Sequence, residues 1–158
     1  MKPIPPDDQL EGFIGKFTPE VAKVARAALA KMRKLLPGAY QLVYDNYNAL
    51  AIGFGPTDRA SDAIFSIALF PRWVSLFFLR GANLRDPKKL LRGSGKVARH
   101  IILKDPTILN DPAVLSLIGN ALKRARKPMI NESPGRVVIK SVSAKQRPRR
   151  PSPLAQKR

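Results

Sequence analysis

The chain has 158 residues, no cysteine and a formal charge of +18, from 29 Lys/Arg against 11 Asp/Glu. That length suits one domain with its own core, and the lack of cysteine excludes disulfides, thiolate catalysis and cysteine-ligated zinc. The start, MKPIPPDDQLEG, lacks the apolar run of a secretory signal, and the densest apolar stretch, residues 73–79, is too short to cross a bilayer, so a soluble cytoplasmic protein with no membrane partner is expected.

The charge is unevenly spread. Residues 123–158 carry twelve Lys/Arg against Glu132 alone, while the first 122 residues carry 17 against ten acids. Such a balance favours anionic partners and says nothing about fold.

In chain order, residues 1–12 read as an N-terminal extension rich in proline. Thr18-Pro19-Glu20 then opens a helix: a capping hydroxyl, a proline suited to the first helical position, and an acid near the positive end of the dipole. Val21, Val24, Ala25, Ala28, Leu29, Met32 and Leu36 recur at helical spacing, and Pro37-Gly38 ends the pattern. Short runs rich in aromatic and β-branched residues follow at 40–44 and 49–54, around the turn Asp45-Asn46-Tyr47-Asn48, and then at 63–70 and 73–79 around Pro71-Arg72. The last two are apolar on both faces, as in the middle of a sheet, and their tight connections imply antiparallel pairing. Residues 86–92 read as a short helical turn starting at Asp86-Pro87, ahead of a fifth strand at about 99–103. Asp111-Pro112 then opens a second amphipathic helix that Pro128 stops.

These elements predict an α+β domain over residues 13–127, an antiparallel sheet of about five strands with the N- and C-terminal helices on one face. Residues 128–158 read as a flexible Pro/Arg-rich tail that buries too little apolar surface to order itself, with a short strand at 136–142 as an open alternative.

Three segments, FTPEV, YDNYNALAIGFGPTDRASDAIFSIALFPRWVSLFFLRGANLRDP and GSGKVARHIIL, resemble the YdhG-like domain, a widespread bacterial module, over residues 13–126. The resemblance implies a fold similar to frataxin. It implies no activity for most members and, for one branch, a role as an intracellular iron chaperone. The residues argue against that role here. Exchangeable iron calls for clustered carboxylates, whereas the first helix offers Glu20 among Lys16, Lys23, Arg26, Lys31, Arg33 and Lys34, and His100 is the only imidazole. Iron is the one cofactor entertained, under that alternative alone; no cofactor is otherwise expected.

Other chemistry is sparse. The loop RGSGK departs from a Walker motif at Leu90 and Val97, but Gly93, Ser94 and Gly95 with Lys96 and Arg99 form a candidate small-anion site. No nucleophile elbow, HExxH helix or EF-hand loop occurs, so no catalytic residue is assigned and the chain reads as a non-enzyme. Lys140, Lys145, Arg147, Arg149 and Arg150 in the tail are candidate nucleic-acid contacts, nonspecific because no aromatic residues interleave with them. Tyr44, Tyr47 and Trp73 are candidate interface residues, for a protein partner or a homodimer on the helix-free sheet face. The expected function is a binding module that recognises a protein or small anion, with weak nucleic-acid contact from the tail; iron handling is the alternative.

Overall fold

The computed structural model describes residues 2–152; Met1 and the last part of the expected tail, residues 153–158, lie outside it. Helix α1 runs Pro6–Ile14, α2 Pro19–Leu35 and α3 Pro112–Arg124, and the strands are β1 Tyr40–Asp45, β2 Leu50–Gly55, β3 Phe65–Leu69, β4 Val74–Phe78, β5 Arg99–Leu103 and β6 Val137–Val142. The α+β class is as expected. The sheet differs from the expected one: it has six strands in the order β5-β4-β3-β2-β1-β6, and it is mixed, because β6 pairs parallel to β1 while every other pair is antiparallel.

The caps explain why the long helices begin where they do. The Thr18 hydroxyl accepts from the Val21 amide at 3.3 Å, and the Asp111 carboxylate accepts from the Ala113 amide at 2.8 Å. Residues 1–12 are more than an extension, since α1 occupies 6–14. Pro6 sits at its start, Asp7 and Asp8 lie in its first turn, and Leu10 and Ile14 are buried.

One apolar face of the sheet, carrying Leu50, Ile52, Phe65, Ile67, Leu76 and Phe78, shares a single buried cluster with Leu10 and Ile14 of α1, Ala25, Leu29 and Met32 of α2, and Leu117 and Ile118 of α3. The opposite face has small residues at its centre. Tyr44, Ala51, Ala68, Ser75 and Ile102 are successive cross-strand partners in one row. Gly55 lets the loop before β3 lie on that face, since a Cβ there would stand 2.8 Å from the Asp62 carbonyl oxygen.

Parallel pairing of β6 with β1 needs a crossover, and the segment from α3 to β6 supplies it. Its backbone passes against the turn after α2, so closely that a Cβ on Gly38 would lie 1.9 Å from the Ile130 carbonyl oxygen. Gly135, at φ +49°, then turns the chain into the sheet. A register shift opposite Val43 and Tyr44 bulges β6 at Lys140.

Candidate functional site

The chain does not leave the domain after β6. Asp45, at the end of β1, has its side chain aimed into the protein and is 0% exposed. A carboxylate in that position needs a partner, because desolvation of an unpaired charge is prohibitive. The partner comes from 104 residues further along. Nη2 of Arg149 donates to Asp45 Oδ1 at 2.8 Å and to the Asn46 carbonyl at 2.5 Å, and its guanidinium lies 5.6 Å from the centre of the Phe17 ring. Nζ of Lys16 stands 3.9 Å from the second carboxylate oxygen. Around this pair the backbone is stitched to the β1–β2 turn: the Ser143 amide donates to the Asp45 carbonyl and the Arg147 amide to the Tyr47 carbonyl, both at 2.9 Å. Gln146 adds a side-chain bond to the Asp45 carbonyl at 3.0 Å.

Of the five tail cations read as nucleic-acid contacts, Arg149 is therefore buried in the domain at 6% exposure and does not face solvent. Lys140 stands exposed on β6, and Lys145, Arg147 and Arg150 are exposed on the docked segment. Arg147 lies over the Tyr47 ring, 5.7 Å from its centre, and Nε of Arg150 donates to the Lys16 carbonyl at 3.1 Å.

Docking of the segment builds a groove at this end of the sheet. The β3–β4 turn folds so that Phe70 and Trp73 stack, with ring centres 4.6 Å apart and planes 19° from parallel. Beside them, Asn48 from the β1–β2 turn, Arg72 from the β3–β4 turn, and Arg147 and Arg150 from the docked segment line a groove of about 860 Å³. No acidic side chain lines it among the described residues. Trp73 remains 43% exposed and Tyr47 49% exposed. Tyr47 and Trp73 thus lie in neighbouring turns at one end of the sheet, whereas Tyr44 is half-buried on the flat helix-free face; the three candidate interface residues do not form one patch there.

The glycine loop is organised differently from the phosphate cradle envisaged. Gly93 adopts φ +112°, as a tight turn requires, but Nη1 of Arg99 folds back onto the carbonyls of Gly95 and Ala98, the latter at 2.8 Å. One nitrogen of the expected anion-binding guanidinium is thus engaged in closing the loop, while Lys96 stays exposed. His100 exchanges backbone hydrogen bonds with Arg92, and its ring centre lies 5.1 Å from that of Phe77.

The acids are dispersed: Asp7 pairs with Arg33, Glu11 with Arg26, Asp58 with Arg136 and Asp62 with Lys127, while Asp86, Asp105 and Asp111 accept from backbone amides. Among the described residues no three His, Cys, Asp or Glu side chains gather as a metal site would require. Likewise, none of the described helices is long and apolar enough to cross a membrane. Sequence reasoning missed Phe70 and Arg72 of the groove and the buried Asp45, whose partner no local spacing rule could supply. Comparison of the chain with family models, with curated proteins and with solved structures finds no match.

Proposed function

We propose that this chain is a non-enzymatic binding module of the YdhG-like kind, and that the groove at Trp73 takes single-stranded nucleic acid. One observation carries the reading: a stacked Phe70–Trp73 pair, still 43% exposed at Trp73, is flanked by Arg72, Arg147 and Arg150 in a groove that no carboxylate lines among the described residues. Single strands are held by this pairing of chemistries, a π platform for bases and guanidinium groups for phosphates. Pro71, Pro148 and Pro151 stiffen the two arms of the groove, which lowers the entropy lost when a ligand orders them. Sequence order separates the aromatics from the tail arginines by some seventy residues, and only the docked segment brings them side by side. The contacts are to bases as flat surfaces and to phosphates as charges, so the binding is tolerant of sequence.

Trp73 is the only tryptophan of the chain, so its fluorescence reports on the groove directly. Titration of the full chain with a twelve-nucleotide deoxythymidine strand should quench it saturably. Affinity should fall as salt rises, and Arg72→Gln should reduce the slope of log affinity against log salt by about 0.7. Trp73→Leu should weaken binding, followed by anisotropy of a labelled strand, by about 1–3 kcal/mol. Binding without quenching, or equal affinity for duplex DNA of the same length, would overturn the assignment.

A further inference from the structure

At the opposite end of β3, a second pocket of about 150 Å³ opens between the loop entering that strand and the C-terminal turn of α3. Its floor is apolar, made of Ile64, Phe78, Leu84 and Ala121. Phe78 is fixed there, 1% exposed and edge-on to Phe65 at 5.6 Å between ring centres. A space of that size with such walls accommodates a body about as large as a benzene ring.

The rim is cationic, with Arg80, Arg124, Arg126 and Lys127. Its single acid, Asp62, is already engaged: it accepts from the Thr57 hydroxyl at 2.6 Å and from Lys127 Nζ at 3.3 Å. The Thr57 hydrogen bond, with help from Lys127, holds the Asp62 carboxyl below the usual carboxylate range. Four cations therefore face one committed carboxylate. The final carbonyls of α3 point toward this end and would by themselves repel an anion; Lys123 and Arg124 in that last turn offset them.

We infer that this pocket is a binding site for a small organic carboxylate with a ring-sized apolar body, the body resting on Phe78 and Ile64 and the carboxylate held by the rim arginines. Guanidinium groups suit this task because their fork of donors matches a carboxylate. The site is separate from the Trp73 groove, and its occupancy leaves Trp73 untouched.

An amide NMR titration of the full chain at constant ionic strength tests it, with sodium benzoate as probe and with acetate and benzyl alcohol as the charge-only and body-only comparisons. Benzoate should give saturable shifts at Ile64 and across residues 121–127, and both comparison compounds should bind at least about tenfold more weakly. Arg80→Gln and Arg124→Gln, both changes of exposed side chains, should together weaken benzoate by about tenfold or more. Ala121→Leu, which fills the pocket, should abolish the shifts; if that variant unfolds, the arginine pair still decides. Absence of saturation, equal binding of benzyl alcohol or acetate, or indifference to the arginine changes would each overturn the inference. Trp73 fluorescence should not respond to benzoate, so failure here and failure at the groove are told apart.

Discussion

Replacing Arg149 by Gln removes the guanidinium that reaches the fully buried Asp45 and the Asn46 carbonyl. Removal of one member of a buried ion pair costs about 3–5 kcal/mol, because the other charge stays desolvated. Lys16 remains 3.9 Å from Asp45, on a side chain 52% exposed, and gives partial compensation. The lower end applies, about 3 kcal/mol, a large share of the roughly 5–15 kcal/mol that holds a domain together. With a urea slope of about 2 kcal/mol per molar, the midpoint should fall by about 1.5 M. Equilibrium unfolding by urea at neutral pH, followed by far-UV circular dichroism, measures this. Asp45→Asn and the double variant complete a cycle in which the pair should show a coupling energy of about 2 kcal/mol. A midpoint for Arg149→Gln within about 0.3 M of the parent's would refute the reasoning, since it would mean that residues 143–152 stand off the domain in solution and that Asp45 is satisfied without them.

Three further outcomes check the rest of the fold. Gly38→Ala drives a methyl group into the Ile130 carbonyl and should cost about 3 kcal/mol, lowering the thermal midpoint by roughly 6–12 °C. Ile14→Ala, at a position 0% exposed, should destabilise by about 3 kcal/mol in the same urea assay; a neutral result would detach α1 from the core. The Asp62 carboxyl has its pKa lowered chiefly by Thr57, so its contribution is present above the ordinary carboxylate pKa and is lost as pH falls through the folded value. Asp62→Asn should accordingly lower stability at pH 7 and make less difference at pH 3, as read from urea midpoints at the two values.

Much of this architecture is written locally. The caps at Thr18 and Asp111, the helical stripes behind them and the aromatic and β-branched runs of β1 to β5 are short-range patterns, and the structure follows them to within a residue or two, except that α3 ends at Arg124, ahead of the expected stop at Pro128. Helix α1 has weaker local signals. Its signals, Pro6 at the start and Leu10 and Ile14 on one side, occupy a span of nine residues that has few apolar positions and begins among prolines. A helix so short is held by its contacts with the core and hardly by propensity.

In the tail, the strand held open at 136–142 is present as β6, and the segment after it departs from expectation for a different reason. Low apolar content argues for disorder when hydrophobic burial is the only source of order, but residues 143–152 dock through backbone hydrogen bonds to the β1–β2 turn and through one buried arginine. Prolines at 148 and 151 also leave less freedom to lose. The groove inherits the same division. Composition alone determined that the chain is strongly cationic and that it has one tryptophan, and the pattern of caps and strands determined most of its elements. Tertiary structure decided which cations stay outside, because Asp45 is buried at the end of β1, between β2 and β6, and draws Arg149 in from 104 residues away, leaving Arg147 and Arg150 beside Trp73. A buried charge selects its partner by geometry and desolvation, and neither quantity has a signature in local sequence.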